Sequence, residues 1–196
     1  MTISIDDIKK LRAQTGAGMM DAKKALEQAE GNYDKAIENL RKAGMASAAK
    51  RSDRVASQGV IETYLHGGRI GVMVEINCET DFVARTDDFK TFAHDVAMHI
   101  AASAPEYLTP ADVPAEVVAK EREIYAAEVA GKPAEIMDKI VEGKLEKYYS
   151  QVCLLNQGFV RDPDTTIEQL LTATIAKTGE NMVIRRYVRF ELGFAD

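Results

Sequence analysis

Between Ile70 and Cys78 the chain alternates Ile70, Val72, Val74, Ile76 and Cys78 with Gly71, Met73, Glu75 and Asn77. A period of two is the mark of a strand with one buried face, and a slip of one residue would turn the whole apolar set to solvent. The run therefore fixes a strand and its register. Just before it, Val60-Ile61-Glu62-Thr63-Tyr64-Leu65 suits a partner strand, and His66-Gly67-Gly68-Arg69 supplies the glycines of a hairpin turn. A third strand is predicted over 182–192, where Ile184, Val188, Phe190 and Leu192 alternate with Arg185, Tyr187, Arg189 and Glu191, with Arg186 out of phase.

Elsewhere the apolar period is helical. Ser4 and Asp7 make a capping-box-like start, after which Ile5, Ile8 and Leu11 share a face and the helix stops near Thr15-Gly16. Met19, Ala22 and Leu26 mark a second helix, ended by Glu30-Gly31-Asn32, and Tyr33, Ala36, Ile37 and Leu40 a third, expected to stop at Gly44. These three make a bundle near the lower size limit for independent folding. Residues 45–58 lose apolar periodicity beyond Ala and carry Lys50, Arg51 and Arg54, the pattern of a basic, partly helical linker or, less simply, of an RNA-binding arm. A helix from about Thr86 to Ser103 presents Phe89, Phe92, Ala93, Val96, Ala97 and Ile100 on one stripe. Further helices are expected over 117–129 and 134–155, separated by Gly131-Lys132-Pro133, and from Thr165 or Thr166 to Gly179, with an apolar-bearing loop at 159–163. The fold class is α+β: a three-helix module over 1–44, a linker over 45–58, and a core over 59–196 with a small three-stranded antiparallel sheet packed with helices.

Cys78-Glu79-Thr80-Asp81-Phe82-Val83-Ala84-Arg85 joins the best strand to the best helix and sets a carboxylate beside a large aromatic in a connection. Connections lie on the surface and often carry binding function. Either Phe82 folds back as a core plug while Asp81 caps the next helix, or both are displayed.

Chemistry is sparse. Catalysis by an activated Ser or Cys needs a histidine held by a carboxylate, yet His66 falls in a hairpin turn, and His94 and His99, five apart, do not share a helical face as an i,i+4 pair does. Neither cofactor nor metal is expected. Gly16-Ala17-Gly18-Met19-Met20-Asp21 lacks both a preceding strand and the third glycine of a dinucleotide fingerprint. Its Met19-Met20 pair suits adaptable protein contacts instead, with a core role for one of them as the plainer alternative. The net charge of -6 disfavours direct nucleic-acid binding, although the first 58 residues hold 11 basic against 8 acidic side chains, or +3, and the remainder 14 against 23, or -9. Cys78 and Cys153 read as reduced, buried thiols, and without a signal peptide or a membrane-length apolar run the expected location is cytosolic.

Leu11-Arg12 with Thr15-Gly16-Ala17-Gly18-Met19-Met20-Asp21-Ala22-Lys23-Lys24-Ala25-Leu26, then Ala36-Ile37-Glu38-Asn39-Leu40-Arg41-Lys42, Glu79-Thr80-Asp81-Phe82-Val83-Ala84-Arg85, Ile140-Val141-Glu142-Gly143-Lys144-Leu145 and Arg189-Phe190-Glu191-Leu192-Gly193 resemble, nearly end to end, the bacterial elongation factor Ts family. Ala22, Thr86, Gly158 and the Phe194-Ala195-Asp196 ending depart from its usual residues. The length matches the short form, which implies a homodimer. The resemblance implies a guanine nucleotide exchange factor, not an enzyme, that binds elongation factor Tu. It implies a ubiquitin-associated-like N-terminal bundle whose Leu11, Met19 and Met20 receive an apolar side chain of that GTPase. Thr80, Asp81, Phe82 and Val83 then form a wedge inserted near its Mg²⁺ and nucleotide phosphates. The rival expectation is a ubiquitin-associated-like binding or chaperone module without exchange activity.

Overall fold

The computed structural model describes residues 3–131 and 133–193; Lys132 of the expected helix break and the Phe194-Ala195-Asp196 ending lie outside the described residues. Eight α-helices and five strands run in the order α1 (Ile5–Thr15), α2 (Met19–Gln28), α3 (Tyr33–Ala49), β1 (Gln58–His66), β2 (Ile70–Cys78), α4 (Asp81–Ala84), α5 (Asp87–Ser103), α6 (Ala115–Glu128), α7 (Ala134–Val152), β3 (Gly158–Phe159), β4 (Asp162–Thr166), α8 (Ile167–Thr178) and β5 (Met182–Glu191), among the described residues. The main sheet is antiparallel with order β1-β2-β5, as the alternation of β2 requires: Val72, Val74, Ile76 and Cys78 are buried. The chain divides into two compact units, one of residues 1–63, 73–95 and 169–187, the other of 64–72, 96–168 and 188–196.

In the first unit, α2 packs on both α1 and α3 around Ile8, Leu11, Ala22, Leu26 and Ala36, with Tyr33, Ile37 and Leu40 at the edge. The ends of these helices follow from local chemistry. The Ser4 hydroxyl accepts the Asp7 N–H at 3.1 Å while the Asp7 carboxylate accepts from the Ser4 N–H at 3.2 Å, a reciprocal cap. Gly16 closes α1 at φ 69°, a left-handed conformation that costs glycine little. Helix α3 does not stop at Gly44, as the sequence led one to expect, but continues through it to Ala49. Packing carries the helix past the glycine: α3 lies against α8, where a Cβ at Gly44 would meet the Ala176 Cβ at 3.6 Å, an ordinary contact. Arg41 Nη2 to Gln169 Oε1 at 2.7 Å, and Arg51 Nε to the Gly179 carbonyl at 2.9 Å, tie the same face.

Gly59 opens the hairpin at φ 146°, where a Cβ would fall 2.1 Å from the Ile76 carbonyl oxygen. Only a glycine lets the strands approach there.

The second unit holds α6 and α7, packed through Val129, Val141 and Leu145 with Val118, Tyr125 and Tyr149 at the edge. The region expected as an apolar-bearing loop is a small antiparallel hairpin, β3–β4, with an irregularity between Gly158 and Phe159. Asp162-Pro163-Asp164 has poor strand propensity; the close approach of Gly158 to the Pro163 backbone, 2.5 Å from a notional Cβ to that carbonyl, makes the pairing possible. His99 is fully buried here. Its Nε2 lies 2.9 Å from Gln157 Oε1, and its Nδ1 accepts the Val160 N–H at 3.2 Å, which sets the neutral tautomer with the proton on Nε2.

Candidate partner-docking site

The connection after β2 is a single helical turn. Thr80 is its N-cap, with φ -126° and ψ 155°, and its hydroxyl accepts the Val83 N–H at 3.4 Å. Asp81 is therefore the first residue of α4 and not the cap of the following helix. Thr86 performs that second task, since its hydroxyl accepts the Phe89 N–H at 3.3 Å at the start of α5.

Phe82 is 78% exposed, so it does not fold back as a core plug. Its neighbour Ala84 is buried and Val83 half-buried, so the turn is held down by one side while the aromatic stands out on the other. The Asp81 carboxylate meets Arg85 Nη2 at 2.7 Å on an exposed surface, where such a pair adds at most about 1 kcal/mol.

What fixes this turn lies at its root. The Cys78 thiol donates to the Thr80 carbonyl at 3.1 Å. Burial pushes that thiol upward from its ordinary range, with the Glu180 carboxylate adding to the shift. Glu180 accepts from the Thr80 N–H at 2.9 Å and from the Thr80 hydroxyl at 2.6 Å. Glu79 accepts the Asn181 N–H at 2.6 Å, and Arg54 Nη1 reaches the same carboxylate at 3.4 Å. Asn181 is buried, and its side-chain amide donates to the Arg54 carbonyl at 2.8 Å and the Ser52 carbonyl at 3.3 Å. Sequence reasoning missed Glu180 and Asn181. Their only signal is a Gly-Glu-Asn step between a helical and an alternating run, which marks a turn but names no distant partner.

In the three-helix bundle, Met20 is 74% exposed and Met19 40%, at the start of α2. Leu11 differs from them: it is fully buried in the bundle core and presents nothing to solvent. Among the described residues no group of three His, Cys, Asp or Glu side chains is placed to hold a metal ion, and no helix is long and apolar enough to cross a membrane.

Fold and site together define a class, a small α+β protein that displays large apolar side chains on braced turns. The comparisons are more specific. The family described as Elongation factor TS matches residues 4–193. The elongation factor Ts of Carboxydothermus hydrogenoformans is similar at 61% identity over 95% of this chain and 87% of its own length. Those of Acetivibrio thermocellus, at 56% over 97% and 90%, and of Syntrophus aciditrophicus, at 55% over 98% of each chain, are similar throughout. The chain belongs to the elongation factor Ts family and is a translation elongation factor.

Proposed function

We propose that this chain is a guanine nucleotide exchange factor for elongation factor Tu, using Phe82 as an apolar wedge. The observation that carries this reading is an exposed aromatic on a turn tied down at its root. Inside the GTPase, GDP depends on backbone donors of a phosphate loop and on Mg²⁺, which demands near-ideal oxygen geometry. A ring driven between the helices that support this geometry weakens both. Asp81 supplies charge beside the ring and disturbs polar contacts there, while Thr80 and Val83 set its direction. No covalent bond of the nucleotide changes. Coupling is reciprocal, so a factor that loosens GDP is itself bound less tightly by the GDP form, and GTP in excess carries the cycle forward.

The module over residues 1–44 provides the second contact, joined by the basic segment 45–58 to the wedge-bearing core over 59–196. Met19 and Met20 offer a soft, exposed surface for an apolar side chain. Leu11, buried in the bundle core, contributes by holding the helices together and not by touching the partner. The acidic balance favours a protein partner over direct nucleic-acid contact, and a cytoplasmic location accords with a role in translation. A homodimer is supported by Leu65, Phe190 and Leu192, all exposed.

Release of fluorescent GDP from elongation factor Tu tests the mechanism. Phe82→Ala is expected to lower the maximal stimulated rate at least about tenfold, the equivalent of about 1.4 kcal/mol of lost coupling, and Asp81→Ala to lower it less. Met20→Ala is expected to raise the half-saturating concentration more than it lowers the maximum. Undiminished release by a folded Phe82→Ala variant refutes the wedge. A chain that binds the GTPase without any release is the binding or chaperone module instead.

A further inference from the structure

We propose that Glu180 is a positioning residue for Phe82: it fixes the wedge by accepting from both hydrogen-bond donors of Thr80, its N–H and its hydroxyl, across the β2–β5 strand ends. This role rests on the exchange reading above.

Helix α4 has four residues. A single turn cannot hold its own direction, because helix nucleation is unfavourable without outside support. That support is visible. Strand β2 ends at Cys78 and β5 begins at Met182, and beyond these ends the backbone ladder is replaced by an exchange of carboxylates. Glu180 accepts from the Thr80 N–H at 2.9 Å, and Glu79 accepts from the Asn181 N–H at 2.6 Å. Each chain segment gives the other one charged acceptor, and hydrogen bonds to an ionised partner are the strong ones.

Thr80 connects this exchange to the wedge. Its hydroxyl donates to Glu180 Oε1 at 2.6 Å, which leaves an oxygen lone pair aimed at the Val83 N–H at 3.4 Å. Glu180 therefore sets the hydroxyl rotamer, the hydroxyl sets the first turn, and Phe82 lies inside that turn. Because Thr80 is exposed, water can satisfy its groups when Glu180 is truncated. The expected consequence is a folded protein whose wedge has lost its fixed direction and must be ordered again on each encounter.

The test is the GDP-release assay with Glu180→Ala, Glu180→Gln, Thr80→Val and the Glu180→Ala/Thr80→Val double variant, beside Phe82→Ala. Glu180→Ala is expected to lower the maximal rate about tenfold, the size of one charge-assisted bond, with the half-saturating concentration within about twofold of wild type. Glu180→Gln, which keeps one acceptor oxygen, should fall between the two. The double variant should be no worse than the poorer single one, since both remove the same link. Amide exchange over residues 81–86 should quicken about tenfold in Glu180→Ala while exchange in α1 to α3 stays unchanged. Additive losses, a change confined to the half-saturating concentration, or full activity of Glu180→Ala alongside an inactive Phe82→Ala overturns the positioning role and spares the exchange reading. Failure of the wild-type chain to release GDP removes the exchange reading itself.

Discussion

Thr80 shows how much a single side chain can settle. One hydroxyl accepts the Val83 N–H of the first turn of α4 and donates a hydrogen bond to Glu180, while the adjoining N–H donates to the same carboxylate. His99 is a second such residue, fixed neutral between Gln157 and the Val160 N–H. Burial holds its imidazole below the usual histidine range, with the Gln157 contact opposing in part. The sign of the pH effect follows from which state takes up the proton. Below about pH 6.5 the unfolded chain protonates this imidazole while the folded one resists, so stability is full above that pH and declines as pH falls toward the folded value. Denaturant unfolding at pH 7.5 and at pH 5.5 is expected to show this decline, and His99→Gln should flatten it over that window. Spacing alone placed His99 off any ligand pair, but only the packing against Gln157 reveals its burial, because periodicity does not distinguish the rim of a core from its centre.

At the scale of elements, the alternation from Ile70 to Cys78 was legible in register and in buried face, because a period-two pattern has one solution once one face is apolar. The β3–β4 hairpin was illegible, since its pairing depends on a glycine approaching the Pro163 backbone and not on propensity. The end of α3 failed for a related reason: Gly44 looks like a stop signal when its neighbours in space are hidden. Its environment yields a prediction. A methyl group there meets Ala176 at 3.6 Å, an ordinary contact, and Ala outranks Gly inside a helix by about 1 kcal/mol. Gly44→Ala is therefore expected to stabilise the protein and raise its melting temperature by roughly 2–4 °C. A lower melting temperature shows that α3 needs a closer approach to α8. The exposed turn was half legible: the stretch was conspicuous for Phe82 beside Asp81, whereas Glu180, 100 residues from Thr80, carries no local mark of its partner.

For the whole molecule, two compact units interleave in sequence, each gathering three separate stretches of chain. Composition and charge gave a bundle, a basic segment and a core in series, since a linear scan cannot see chain segments that return. In the second unit Leu65, Phe190 and Leu192 are each at least 60% exposed, and the homodimer proposal assigns them to the contact between copies. Light scattering is expected to give twice the mass of one chain, and Phe190→Glu with Leu65→Glu to shift it toward the monomer. A monomeric wild-type chain at micromolar concentration refutes this assignment.

The brace on Thr80 also has a consequence in time. A ribosome adding about 5–20 residues per second needs roughly 5–20 s to travel from Phe82 to Glu180. During that interval the emerging chain already carries Thr80 and Phe82 without the carboxylate that holds the turn. On the exchange reading, competence waits until the chain reaches Glu180, just before β5, and an abortive product ending short of it would hold Met19, Met20 and Phe82 without the brace on the turn.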